Sequence, residues 1–325
     1  MKAITIPTPG GIESLILTEL PDPVPASGEV LLAVAAAGVN RADISQRLGH
    51  YPSPAGSPPW PGLEVSGTVV SMADDVTGWT IGQHVCALLG GGGYASLVCA
   101  PASQLLPVPE GIELVDAAGL PEAVATVWSN VFMDAHLRAG DTLLVHGGSG
   151  GIGTTAVQLA RALGCAVAVT AGSTEKLAEC ERLGADMLIN YHEEDFVERI
   201  LVATDGRGAD VILDPIGGDY LARDLRALAR HGRIAVIGNQ SMETSTIDAR
   251  HLMGKWATIH GTTLRARPLT EKADIIASVL ANVWPLVEAG QLRPIIDERM
   301  PLADAGRAHE RMESSAHIGK LLLIP

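Results

Sequence analysis

An α/β fold is predicted, with a doubly wound parallel sheet placed after a β-rich N-terminal domain. Three observations predict it. From about residue 121, strand-like and helix-like segments alternate as TLLVHGG, TTAVQLARALG, CAVAVTAG, STEKLAECERLG, DMLINY, ADVILDPIGG and RIAVIG, the pattern of successive βαβ units. Before residue 120 the apolar runs are short, rich in Val and broken by Gly and Pro, with no long helix. A glycine-rich GxGxxG joins the first strand of the alternating part to its first helix, the context in which that motif binds a dinucleotide.

The first domain, residues 1–120, rests on VLLAVAAAGV, LEVSGTVVSM, QHVCALL and YASLVCAP, short strands separated by turns. Within it YPSPAGSPPWP, residues 51–61, is an extended loop stiffened by its prolines. The second domain, residues 121–265, holds the alternating strands and helices. The remaining residues, 266–325, contain a helix around 272–288 and a final strand, IGKLLLI, expected to return to the first domain. A chain of 325 residues is long for a single core, which agrees with this division.

Composition narrows the roles. Hydrophobic residues make up 47% and charged residues 18%, a balance that folds rather than remaining disordered. The formal net charge of −14 repels phosphate polymers and anionic bilayers, so neither nucleic acid nor a membrane is an expected partner. No apolar run approaches the ~20 residues that cross a bilayer. The opening MKAITI reads as a strand rather than a leader, and a cytoplasmic protein is expected. Cys86, Cys99, Cys165 and Cys180 are scattered without a CxxC pair, against a disulfide framework or a closed structural zinc site.

The glycine motif comprises Gly148, Gly150 and Gly153. Its first glycine allows the tight turn, the second brings backbone close to a pyrophosphate, and the third lets helix and strand pack; free amides at the helix start then face the phosphates. About 20 residues on, an Asp or Glu ordinarily binds a ribose hydroxyl. Here the second strand runs out through Thr170, Ala171, Gly172 and Ser173 with no acid. Ser173 instead caps the next helix, Lys176 lies in that helix's first turn, and Tyr191 ends the following strand. An ammonium and two hydroxyls attract a 2′-phosphate that a carboxylate would repel, so NADPH rather than NADH is the expected cofactor.

The segments GEVLLAVAAAGVNRADISQRLGHY, PGLEVSGTV, GGGGYASLV, LPEAVATVW, GGSGGIGTTAVQLA, VTAGSTEKL, GADMLINY, LDPIGG, GTTLRARP and HIGKLLL occur in this order. The series resembles the medium-chain dehydrogenase/reductase superfamily, and within it the zinc-free quinone oxidoreductases, over almost the whole chain. The resemblance implies a GroES-like catalytic domain at 1–120, an NADP-binding Rossmann domain at 121–265 and a C-terminal segment that rejoins the catalytic domain. It implies an NADPH:quinone oxidoreductase that passes hydride from C4 of NADPH to a quinone in the cleft between the domains. By position it assigns Tyr51 and Asn40 to catalysis and Asn40 to the cofactor as well. Further cofactor positions are Thr126 toward the nicotinamide ribose, Gly151 and Ile152 in the pyrophosphate turn, Gly238 and Asn239 after RIAVIG, and His317, where an asparagine is common; Arg265 borders the site.

The superfamily's zinc enzymes carry a histidine where Leu63 stands, a cysteine near Asn40 and a four-cysteine lobe. Only the neighbouring Glu64 remains here, so no metal is expected, and His84, Cys86 and Cys99 are read as structural. Gln83 replaces the aspartate usual in its turn. A quinone spreads the arriving charge over a conjugated ring, so hydrogen-bond donors suffice, and a phenol with reference pKa about 10 can donate to its oxygen. KWATIHGTTL resembles the edge strand through which relatives pair, which implies a homodimer. Two other readings stay open: a reductase of activated alkenes such as enones or enoyl thioesters, and a non-catalytic NADPH-binding protein.

Overall fold

The computed structural model describes all of residues 1–325. The Val-rich, turn-punctuated N-terminal sequence forms β1 (Lys2–Thr5), β2 (Ile16–Glu19), β3 (Glu29–Gly38), α1 (Arg41–Arg47), β4 (Glu64–Met72), β5 (His84–Leu88), β6 (Leu97–Pro101) and β7 (Leu105–Pro107). After α2 (Pro121–Val127) the alternation begins: β8 (Thr142–His146), α3 (Gly151–Ala162), β9 (Ala166–Ala171), α4 (Thr174–Arg182), β10 (Met187–Asn190) and α5 (Phe196–Ala203). It continues with β11 (Ala209–Asp214), α6 (Tyr220–Ala227), β12 (Leu228–Val236), α7 (Ala249–Lys255) and β13 (Thr258–Gly261). The chain closes with α8 (Leu269–Asn282), α9 (Trp284–Glu288), β14 (Ile296–Pro301), α10 (Ala305–Glu313) and β15 (Lys320–Ile324).

Two units result: Met1–Ala125 with Arg265–Pro325, and Thr126–Leu264. In the first, β14, β15, β3, β4, β5 and β7 lie side by side in that order, with β6 also pairing β3. The terminal strand β15 pairs antiparallel with β3, Leu322 against Gly38 and Leu323 against Ala37. The alternating apolar residues of these strands, among them Val30, Leu32, Val65, Val85, Leu321 and Leu323, make one buried core. Gln83 closes its turn as an aspartate would, its Oε1 accepting the Thr80 N–H at 3.2 Å.

In the second unit six parallel strands follow the order β10, β9, β8, β11, β12, β13, so the strand order reverses beside β8, the position at which doubly wound sheets bind ligands. Leu144, Ala168, Ile189, Phe196, Ile212 and Ile234 fill its core. The edge strand β13 pairs only with β12.

The single helix expected around 272–288 is two helices. Pro285, which has no N–H for a continuing ladder, sits at the start of α9, and the chain breaks at Val283. Trp284 Nε1 donates to the Pro107 carbonyl at 2.8 Å and anchors that break. No helix is long and apolar enough to cross a membrane.

Candidate functional site

The glycine turn lies between β8 and α3. Its left-handed residue is Gly147 (φ +69°), one position before the motif, which corrects the assignment of the tight turn to Gly148. Gly148 is required for packing: a Cβ there would lie 2.6 Å from Val169 Cβ on β9. Gly153 is required because a Cβ would stand 2.3 Å from the Gly147 carbonyl oxygen, so any side chain forces the turn off the helix. Gly150 faces open space, with only the Gly147 oxygen within 4 Å, at 3.6 Å.

Helix α3 starts at Gly151, three residues earlier than the TTAVQLA segment suggests, and Gly150 gives it no side-chain cap. The Thr154 N–H is the first to find an intrahelical partner, the Gly150 carbonyl at 2.8 Å, which leaves the amides of Gly151, Ile152 and Gly153 ahead of the ladder. Beneath the turn, buried His146 places Nε2 2.8 Å from Asp224 Oδ1 and Nδ1 3.1 Å from Thr170 Oγ1, which also accepts the Gly147 N–H at 3.3 Å. Burial, partly offset by His146, raises the Asp224 pKa to about 6.

At the tip of β9, Ser173 caps α4 by accepting the Lys176 N–H at 3.3 Å. Tyr191 follows β10 directly, and its hydroxyl lies over Gly172, where a Cβ would be 2.4 Å from the phenol oxygen and 3.2 Å from His192 Nε2. The Tyr191 and His192 rings stand 4.5 Å apart. Gly172 thus supplies the room that brings Tyr191 against the Ser173 turn. Sequence reasoning missed both Gly172 and His192, since only the β9–β10 register, Asn190 opposite Ala171, reveals the contact.

Gly238 and Asn239 follow β12 at the same carboxyl edge of the sheet, and a Cβ on Gly217 after β11 would meet Asn239 Oδ1 at 2.7 Å. The Thr126 carbonyl accepts Asn130 Nδ2 at 2.9 Å, and Asn130 Oδ1 accepts the Thr262 hydroxyl. The structure therefore gathers the glycine turn, Ser173, Lys176, Tyr191 and Asn239 at one sheet edge.

The other unit holds Asn40, Tyr51 and His317. Asn40 precedes α1 and donates its N–H to Asp43 Oδ2 at 2.8 Å. Its amide is held at both ends: Nδ2 donates to Glu64 Oε1 at 2.9 Å, and Oδ1 accepts Lys320 Nζ at 2.7 Å. Lys320 also donates to Glu64 Oε1 at 2.5 Å and to the Val39 carbonyl at 3.2 Å, and Glu64 Oε2 accepts the Glu122 N–H at 2.8 Å. Glycine at position 38 makes room for the carboxylate, because a Cβ would lie 2.3 Å from Glu64 Oε1. Glu64 and Lys320 are both buried.

These residues do not fit zinc. Leu63 is a buried apolar side chain, an ammonium already sits on Glu64, and no three His, Cys, Asp or Glu side chains are grouped to hold a metal.

Around this cluster the titrations are displaced by burial. Asp43 is pushed up to about 6 by burial, against hydrogen bonds from the Gly62 and Asn40 amides. Glu122 is pushed up to about 8 by burial and by Glu64, and its Oε2 is buried without a partner. Tyr94 donates to Asp43 Oδ2 at 3.2 Å and lies 3.1 Å from Nε2 of buried His309, whose pKa burial lowers to about 3.

Tyr51 opens the proline-stiffened loop. Gln46 Nε2 holds that loop through Ser53 Oγ at 3.1 Å and the Pro59 carbonyl at 2.8 Å, and Trp60 Nε1 donates to the Gly92 carbonyl at 3.1 Å. Arg265 Nη1 donates to the Tyr51 carbonyl at 3.0 Å. His317 is half-buried on the approach to β15, in the unit of Met1–Ala125 and Arg265–Pro325. Lys320, Asp43 and Glu122 were not singled out from sequence; the one available signal was a lysine inside the otherwise apolar IGKLLLI.

Two family models match: the alcohol dehydrogenase GroES-like domain over residues 26–110 and the zinc-binding dehydrogenase over residues 151–279. A rat quinone oxidoreductase is 33% identical over 327 residues, covering all of this chain and 98% of that protein. The chain belongs to the medium-chain dehydrogenase/reductase superfamily. A phthioceranic/hydroxyphthioceranic acid synthase of Mycobacterium tuberculosis is 30% identical over 98% of this chain, which spans 15% of that protein. Among solved structures, Escherichia coli quinone oxidoreductase complexed with NADPH superimposes with a TM-score of 0.90 at 29% identity, covering all of both chains. The sheet order of Thr126–Leu264 is thus that of a superfamily nucleotide domain, and the strands of the other unit are its GroES-like partner.

Proposed function

We propose that this member of the superfamily is an NADPH-dependent quinone reductase that works without a metal ion. The observation that carries the reading is the acid-free tip of β9, where Ser173 caps α4, Lys176 stands in that helix's first turn and the Tyr191 hydroxyl lies over Gly172. A 2′-phosphate there meets an ammonium and hydroxyls instead of a carboxylate. The uncapped amides of Gly151 and Ile152, beside the open face of Gly150, suit the pyrophosphate. When bound, NADPH supplies a hydride, two electrons with one proton, to the acceptor.

In this reading the chain's own groups manage orientation and charge. Thr126, Gly238 and Asn239 position the nicotinamide end, and His317 and Asn40 are assigned to the cofactor as well. Asn40 is fixed by Glu64 and Lys320, so it acts as a rigid surface rather than a mobile donor. Tyr51 donates its phenolic proton to the oxygen of the reduced quinone: the phenol O–H breaks, the hydroquinone O–H forms, and water restores the phenol. Turnover with NADPH and benzoquinone, a naphthoquinone or an enone tests the reading. Quinone reduction with NADPH favoured over NADH is the expected result, and no change in NADPH fluorescence on mixing removes it. Tyr51→Phe should lower kcat about tenfold or more while NADPH affinity stays unchanged.

Reduction of an activated alkene is a second reading, because it too delivers hydride to a conjugated acceptor; turnover of the enone alone would select it. We also propose a homodimer through β13, an edge strand beside exposed Trp256, on which Arg230 stacks 3.9 Å from the ring centroid. Sedimentation at the mass of one chain would exclude it. A soluble, cytoplasmic location is part of the same proposal.

A further inference from the structure

Arg265 is the first residue of the chain's return to the catalytic unit, and its side chain is only 3% exposed. Burying a guanidinium is costly unless its donors are satisfied. Here they are: Nε donates to the Gly90 carbonyl at 2.7 Å, Nη1 to the Tyr51 carbonyl at 3.0 Å, and Nη2 to Gln46 Oε1 and Ser53 Oγ, both at 2.8 Å. One side chain therefore ties α1, the loop of residues 51–61 and the glycine-rich turn at residues 90–93 together. Its Cζ also lies 5.2 Å from the centroid of the Tyr51 ring. A side chain needed only for packing would have no reason to carry a charge into this position, and a neutral amide could bridge two of the four acceptors.

We infer that Arg265 is a positioning residue for Tyr51: it fixes the tyrosine's backbone and, with its charge beside the ring, stabilises the phenolate left when the phenol gives up its proton. The inference rests on the reading of Tyr51 as a proton donor. A cation within about 6 Å of an aromatic ring is held by the ring's electron density, and the attraction grows when the ring oxygen becomes negative. Burial lowers the Arg265 pKa, while Asp43, Tyr51 and Glu122 oppose that shift, so the guanidinium sits among groups that favour its charge. The charged groups facing the pair are Asp43 of α1, Glu122 of α2 and Lys272 of α8, whose Nζ donates to the Arg265 carbonyl at 3.3 Å. None of them is substituted in the variants below.

The chain has only four tyrosines, and Tyr94 and Tyr220 both titrate above the ordinary phenol range because of burial. The near-ultraviolet phenolate titration of the full chain, differenced against Tyr51→Phe, therefore isolates Tyr51. In Arg265→Gln this titration should move about one unit upward, and the alkaline limb of kcat should move with it. Arg265→Lys keeps the charge and loses the fork, so it should restore most of the titration while leaving KM for the quinone raised. Far-ultraviolet circular dichroism and the urea midpoint of each variant report its folding, because Tyr51, Ser53 and Arg265 all lie in the unit of Met1–Ala125 and Arg265–Pro325. If Arg265→Gln does not fold, Ser53→Ala removes one anchor and should raise KM for the quinone two- to threefold without moving the titration. An unmoved Tyr51 titration in Arg265→Gln or in Arg265→Lys with unchanged KM overturns the inference. A moved titration with unaltered kcat supports the hold of Arg265 on the phenol and removes Tyr51 from the chemistry, which separates the two readings.

Discussion

The glycine turn of the nucleotide unit and the Glu64 cluster of the catalytic unit both organise charge, with opposite materials. The turn uses backbone: three glycines, free amides at the start of α3 and an open face at Gly150. The cluster uses side chains that saturate one another: Asn40, Glu64 and Lys320 leave no free donor among them, and neighbouring Glu122 carries a buried oxygen without a partner. A backbone site keeps its ligand-facing groups whatever the surface residues do, because every residue supplies an amide. A side-chain cluster depends on each member, since removing one leaves a buried charge.

The sharpest test of that difference is Glu64→Ala. It strands the Lys320 ammonium in the interior and should cost about 3–5 kcal/mol of stability in urea denaturation, whereas Glu64→Leu combined with Lys320→Met should recover most of it. A loss below about 1 kcal/mol would mean that Glu64 and Lys320 are hydrated and that the contrast is false. Next in size, Gly153→Ala sets a methyl 2.3 Å from the Gly147 oxygen and should cost about 1–3 kcal/mol while weakening NADPH binding, because backbone must move.

Glu122 gives an effect of opposite sign. Its pKa of about 8 lies above the ordinary 4.5, so its contribution is fully present below pH 4.5 and is lost as pH rises through 8. Glu122→Gln keeps the neutral form at every pH. It should match the wild type in acid and become about 2 kcal/mol more stable by pH 6, the gap widening further toward pH 8, read from urea midpoints across that range. A flat difference would show an ordinary carboxylate. The smallest effect is at the half-buried Lys176: replacement by Ala should reduce the preference for NADPH over NADH about tenfold, and an unchanged preference would take the ammonium out of the site.

The nucleotide unit was legible because its signals are local. Strand, glycine turn and helix follow one another within residues 142–162, and Ser173 caps the helix in which Lys176 sits. The reading still misplaced the left-handed residue by one position, since Gly147 and Gly148 are indistinguishable without the path of β9 past Val169. It merged α8 and α9 because Pro285 stands within an otherwise helical pattern. The catalytic unit was less legible. Asn40, Glu64 and Lys320 lie far apart in the chain, and only the pairing of β3 with both β4 and β15 makes them neighbours. The grip of Arg265 on Tyr51 spans 214 positions in the same way.

By itself the sequence determined the order of strands and helices, the glycine turn and the missing acid at the tip of β9, because periodicity and capping act over one or two turns of chain. Tertiary structure alone decided which buried charges meet, where His192 and Tyr191 lie over Gly172, and how Arg265 holds its loop. Burial and ion pairing depend on through-space distances of a few ångströms, and those distances exist only after the sheets have closed.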